Sequence, residues 1–158
     1  VEIRARIEGD LVAVNVREGQ QVKAGEVLAR FEDSEQQSGL TSARADRLAA
    51  ESDRTTAKWN LEQTTELFKA GAVAERDFKL AQQTAATATA RLAAADARVR
   101  ASSSLVQDTR AIATTTGVIS RRAVENGEHI SRGASMFTLV RTNVLERAAA
   151  VPARFASA

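Results

Sequence analysis

Few side chains here are suited to chemistry, and those few are scattered. His129 is the only histidine and there is no cysteine, so neither a His pair nor a His/Cys cluster can hold zinc, and no Ser-His-acid nucleophile system has support. The flanking Gly127 and Gly133 place His129 in an exposed loop. Glu32, Asp33 and Glu35 lie close together in the sequence, yet no opposing carboxylates with separable acid and base roles are visible. Helix capping accounts for them better than catalysis. Met136 fits core packing better than soft-metal binding. No enzyme is expected, and nothing in the chain requires a cofactor or a metal.

The bulk properties narrow the alternatives. A chain of 158 residues can bury one ordinary core or two small modules in series. Its 22 basic and 20 acidic residues leave a net charge of +2 and are interspersed, which describes a solvated surface. With no Tyr, one Trp and five Phe, the basic stripe with neighbouring aromatics that marks a nucleic-acid binder is missing. No apolar run approaches the ~20 residues needed to span a bilayer. The chain begins at Val1 without a signal peptide and reads as a fragment whose targeting segment, if any, lies upstream.

The informative residues are glycines. Residues 1–32 and 111–143 are rich in Val, Ile and Gly, and they match each other without a gap at a constant offset of 108, as from Gly9 to Gly117. Gly19 falls on Gly127, Gly25 on Gly133, Val16 on Val124, Val22 on Ile130, Leu28 on Met136 and Phe31 on Leu139. Repeated glycines imply backbone positions that need a positive φ or a close approach, so Gly9, Gly19, Gly25, Gly117, Gly127 and Gly133 are expected to be structural turns built twice. Short strands at Val12, Val14 and Val16 and at Val27 and Leu28 then make two half-motifs of one small β domain.

Between the halves, residues 33–110 are rich in Ala, Gln, Thr and Arg and read as two helices, about 34–70 and 74–108, with a tip at about 70–74. Asp33 and Ser34, followed by Gln36 and Gln37, resemble a capping box. Gly71 is the residue expected just past a helix C-terminus, and Glu75 and Asp77 suit the first turn of the next helix. Phe78, Ala81, Ala85, Ala88, Leu92, Ala95, Val99, Ser102 and Val106 follow a 3,4 spacing, the seam of an antiparallel coiled coil. The matching row on the first helix is Leu40, Ala43, Arg47, Ala50, Arg54, Ala57, Leu61, Thr64 and Phe68. Arg47 and Arg54 fit poorly in a dry seam. Either their stems pack while their heads reach water, or the register differs or the seam widens there, or they meet a neighbouring hairpin in an oligomer.

The order of these parts, with V-x-V-R-E-G-x-x-V-K-A-G-E-V-L-A-R-F-E-D from Val14 to Asp33 and G-V-I-S-R-R-A-V-E-N-G-E-H-I-S-R-G from Gly117 to Gly133, resembles the HlyD-type periplasmic adaptors, or membrane fusion proteins, of tripartite efflux systems, in the branch serving resistance-nodulation-division pumps. The resemblance covers nearly the whole chain. It implies an α+β fold, a split biotinyl/lipoyl-like β sandwich interrupted by a long antiparallel α-helical coiled-coil hairpin, with 144–158 starting a truncated β-barrel domain. It further implies a non-catalytic homo-oligomeric scaffold in the periplasm, associated with the inner membrane through a segment outside this chain. The implied partners are an inner-membrane transporter and a TolC-like outer-membrane channel, with no nucleic acid. One departure is Ala113-Thr114-Thr115-Thr116-Gly117, where the family usually has an Ala-Pro pair.

In that family the tip meets the channel, often through an Arg-x3-Leu-x6-Ser pattern. Here Leu67 takes the Leu position, while Gln63 and Ala74 replace the Arg and the Ser. Leu67, Phe68, Ala72 and Val73 around Gly71 make an apolar tip without a core of its own, suited to packing on a channel; the plainer account is local capping of the coiled coil. Two rival functions are a structural coiled-coil spacer and a biotin or lipoyl carrier. The carrier would use Lys69, next to Ala70, but long helices flank it instead of a tight β turn.

Overall fold

The repeat is visible in the strands themselves. In a computed structural model the described residues are 1–141; the segment 144–158, expected to begin a further barrel, lies outside them. The strands are β1 Glu2–Arg4, β2 Gly9–Val14, β3 Gln21–Val22 and β4 Val27–Phe31, then β5 Arg110–Ile112, β6 Gly117–Arg122, β7 His129–Ile130 and β8 Ser135–Arg141. Each strand of the second set begins 108 residues after its counterpart, as Glu2 and Arg110 show. Two helices, α1 Ser34–Lys69 and α2 Glu75–Asp108, lie between the sets.

The halves are interleaved. One sheet has the order β1-β8-β6-β3 and the other β5-β4-β2-β7, so each draws two strands from each half. The two sheets map onto each other under the offset even in their irregularities. A bulge between Leu11 and Ala13 in the β2–β4 ladder recurs between Ile119 and Arg121 in the β6–β8 ladder. Alternation buries Leu11 and Ile119 at equivalent places, and Leu28 and Met136 are both fully buried. Phe31, Leu139, Val22, Ile130, Val16 and Val124 complete the paired positions in one core. Burying side chains of this size contributes roughly 1.5–3 kcal/mol each.

The turns are locked across the halves. The Gly19 N–H donates to the Ile119 carbonyl at 2.7 Å and the Gly127 N–H to Leu11 at 2.9 Å; Gly25 donates to Ala113 and Gly133 to Ala5, both at 2.8 Å. These four glycines have φ between 85° and 89°, a conformation that costs a residue with a Cβ about 1–2 kcal/mol. Gly9 and Gly117 correct the sequence expectation. They are the first residues of β2 and β6, not turns, and their φ is not in the left-handed region. What Gly117 supplies is close approach: an added Cβ would lie 2.1 Å from the Val140 carbonyl oxygen.

The described residues divide into two compact units, one formed by residues 1–33 and 106–141, the other by Ser34–Leu105. In the helical unit, Ala81, Ala88 and Ala95 of α2 and Leu40, Ala43 and Ala57 of α1 are buried. Every other residue of the expected α2 row is buried or half-buried. The α1 row also stands in register. Arg47 and Arg54 are half-buried in it, and Arg47 donates across the hairpin to Asp96 while pairing with Glu51 one turn along α1 at 3.0 Å. The irregularity is thus an ion pair at the seam's edge. A second cross-hairpin pair, Arg98–Asp46 at 3.7 Å, is more exposed.

Candidate functional site

The tip is assembled by the end of α1. Gly71 has φ 72°, the Ala72 N–H donates to Leu67 at 2.8 Å and the Gly71 N–H to Phe68 at 3.0 Å. That pair of bonds satisfies the last carbonyls of α1 and reverses the chain, a Schellman arrangement. The Ala74 carbonyl then accepts from Asp77 and Phe78 and starts α2, whose first turn carries Glu75 and Asp77. Surface pairs Glu66–Lys69 and Glu75–Lys79, at 3.6 and 3.2 Å, flank the turn. Such exposed pairs are weak.

Among the expected tip residues the structure separates two roles. Phe68 stacks on Phe78 across the hairpin, with ring centroids 4.8 Å apart and planes 4° from parallel. It therefore packs at the end of the coiled coil, and is 36% exposed. Leu67 takes no part in that stack and is 47% exposed. Gln63 lies one turn behind Leu67 on α1, so the two share a face, and both are exposed. Ala72 and Ala74 are exposed and Val73 half-buried. Phe78 was absent from the expected site; its place at the head of the α2 row, opposite Phe68 at the end of the α1 row, was the available signal.

Elsewhere the chemistry-bearing residues are accounted for by structure. His129 lies in β7 and not in a loop, because its neighbour Ile130 pairs with Gly9 of β2. Its ring is held between Asp10 at 2.8 Å from Nδ1 and Glu8 at 3.1 Å from Nε2. The hydrogen bond to Asp10, then that to Glu8, raises its pKa above 6.5. The two carboxylates approach opposite ring nitrogens, which does not make a coordination site, and no group of three metal-ligating side chains occurs among the described residues. Met136 is in the core. Lys69 ends α1 and so lies in a helix, not in the β turn that a carrier lysine requires.

A small β sandwich built from two halves of a repeat, with a long helical hairpin inserted between them, defines the adaptor class of membrane fusion proteins. The family model for the RND MFP barrel-sandwich hybrid domain matches residues 1–142, and the chain belongs to that family. The multidrug resistance protein MdtA of Escherichia coli O157:H7 is 32% identical over 134 residues, covering 84% of this chain and 32% of the relative. MdtA of Klebsiella pneumoniae is 31% identical over the same length. The chain thus spans about a third of the length of the curated relatives it matches. Among solved structures, ZneB from Cupriavidus metallidurans aligns with TM-score 0.61 and 25% identity, over 90% of this chain and 60% of ZneB. A MacA–MexA chimera carrying the Pseudomonas aeruginosa MexA α-hairpin aligns at TM-score 0.66 and 20% identity, over 89% of this chain and 47% of the chimera; it shows the fold alone.

Proposed function

We propose that this chain is the barrel-sandwich and hairpin part of a periplasmic adaptor that joins an inner-membrane transporter of the resistance-nodulation-division type to a TolC-like outer-membrane channel. It acts without catalysis, as a homo-oligomeric scaffold in substrate export. The observation carrying this reading is the split β unit, in which residues 1–33 and 106–141 are one folded body. Both ends of the hairpin therefore return to a single base, an arrangement that a simple spacer does not need. Among the described residues no helix is long and apolar enough to cross a membrane, so the hairpin's reach serves contact and not anchoring. Leu67, with Gln63, Ala72, Val73 and Ala74 around Gly71, is the surface that meets the channel.

The test is Leu67→Asp in the full-length adaptor in its own cells. Leu67 lies outside the buried core, so the thermal midpoint should move by only about 0–3 °C, as expected for an exposed site costing under ~0.5 kcal/mol. Drug or metal export should be lost, because a charge would be desolvated at the docking surface. Full export at normal protein level would remove the tip from the mechanism.

A further inference from the structure

β1 and β5 are counterparts in the repeat, and each is the end strand of its sheet. They lie beside each other and leave a groove of about 700 Å³ along their edges. Every residue lining it belongs to the β unit. Pockets that hold small molecules occupy roughly 300–1,000 Å³ and combine an apolar lining with a few placed polar groups. This groove has an apolar floor and a charged rim. The floor has room because the repeat is broken there. At the offset of 108, Ile3 falls on Ala111 and Ala5 on Ala113, so Ala111 offers a methyl group where its counterpart carries a full branched side chain. Elsewhere the paired core positions hold residues of similar size, as at Val16 and Val124 or Val22 and Ile130. Ile112, 37% exposed, adds apolar surface that water reaches.

Three guanidiniums and two carboxylates stand on the rim. Arg4 pairs with Glu2 at 2.6 Å, and Arg6 with Asp108 at 3.7 Å. That leaves Arg110, which forms no ion pair among the described residues. In the β4–β5 ladder it stands opposite Arg30, and both are exposed. Like charges placed directly opposite destabilise a sheet. An anion on Arg110 would offset that repulsion, and the rim's surplus charge has the sign to attract one.

We propose that this groove binds a small amphipathic anion, its apolar part against Ala5, Ala111 and Ala113 and its carboxylate or sulfonate on the Arg110 guanidinium. The two halves of the ligand follow from the two halves of the groove. A cation would meet the surplus positive charge of the rim, and a purely polar anion would leave the alanine floor unused. The hydrogen bonds to Arg110 are charge-assisted, the stronger kind. The inference does not rest on the adaptor reading: it gives the β unit a ligand of its own, apart from the tip and from whatever the tip meets.

Isothermal titration calorimetry of the full-length protein tests this with octanoate, and with octyltrimethylammonium as the cation of equal tail. Octanoate should bind at one site per chain and the cation should not. Arg110→Gln changes an exposed residue, so it should keep the thermal midpoint and weaken octanoate binding about tenfold, the scale of one hydrogen bond to a charged group. Arg30→Gln removes the same charge from the same ladder outside the groove and should change the affinity by about twofold at most. Ala111→Ile installs the side chain its counterpart already has and should abolish binding by filling the floor. If that variant unfolds, the comparison of Arg110→Gln with Arg30→Gln decides alone. Absence of octanoate binding overturns the inference, as does equal binding of the cation. An Arg30→Gln loss as large as that of Arg110→Gln would put the anion on the open sheet face and overturns it too, and so does unchanged affinity in Arg110→Gln or in folded Ala111→Ile. Binding to phosphatidylglycerol vesicles with none to free octanoate would make this face a lipid contact, and likewise overturns the groove.

Discussion

Gly9 and Gly117 occupy the same place in the repeat, yet alanine should be tolerated at one and not at the other. In the second half, β8 runs on to Arg141, and Gly117 pairs with Arg141 and Val118 with Val140. In the first half, the equivalent pairing stops where the Glu32 N–H donates to Asp10 at 2.9 Å, since the chain turns into α1 at Ser34. The Cβ of Gly117→Ala would therefore lie 2.1 Å from the Val140 carbonyl oxygen and 2.8 Å from its carbon. Ordinary carbon–oxygen contacts are no closer than about 3.3 Å, so β6 and β8 must separate by about 1 Å and lose the end of their ladder. Two backbone hydrogen bonds at about 0.5–1.5 kcal/mol each, with loosened packing beneath, give roughly 2–4 kcal/mol. At about 4–8 °C per kcal/mol for a unit of this size, the midpoint should fall by ~10 °C or more. At Gly9 the added Cβ meets only the Phe31 ring edge at 3.3 Å, and Gly9→Ala should cost under about 1 kcal/mol. Thermal unfolding combined with hydrogen exchange of the amides in 117–122 and 135–141 reads both. Equal midpoints for the two variants, with unchanged protection of β8, would refute the close-approach argument.

Gly127→Ala has open space around it and positive φ, so it should lose about 1–2 kcal/mol from backbone strain alone, and Gly127→Asn should lose less; chemical denaturation compares them, and a loss as large as that of Gly117→Ala would contradict the distinction. His129, its pKa raised above 6.5 by Asp10 and then Glu8, adds stability that is full below 6.5 and disappears as pH rises through its folded-state value. The unfolding midpoint of the β unit should fall across that window, and His129→Gln should flatten the slope; an identical pH profile in the variant would show that the bracket contributes nothing. Asp96→Ala leaves Arg47 in the seam without its cross-hairpin partner and should lower the hairpin's melting temperature, whereas Arg47→Leu should leave it equal or higher. Circular dichroism of the helices decides, and the reverse order would mean that the ion pair stabilises the seam more than an apolar residue.

The β unit was legible because its backbone demands are written in residue types. Gly19 and Gly127, or Gly25 and Gly133, need positive φ, and no other residue satisfies that as cheaply; the same apolar residues recur between them because both halves fill one core. What the repeat did not reveal was why Gly9 and Gly117 are glycine. A close approach depends on the neighbouring strand, and which residues of β8 come to lie against Gly117 is set by the register of the β6–β8 ladder, which spacing alone does not give. Similarly, a period of three and four places Ala81, Ala88 and Ala95 on one helix face without reference to anything else. Such a period places His129 nowhere, and its position in β7 follows from pairing with β2 across more than a hundred residues.

Arg47 shows the same boundary from the other side. Its row was assigned correctly by spacing, and its charge made that row look wrong, because burial of an isolated guanidinium is costly. The cost disappears once Asp96, just beside the α2 seam, and Glu51, one turn along α1, are placed around it. An arginine in a seam is compatible with a coiled coil when the partner helix holds an acid at the right height, so charge in a seam constrains the stagger of the hairpin. That constraint reaches the tip. Shifting α2 by one turn would separate Arg47 from Asp96 and Phe68 from Phe78 together, and both contacts are satisfied by one alignment. The tip's exposed Leu67 is thus held at a fixed place by an ion pair some twenty residues away, as the docking proposed for the tip would require.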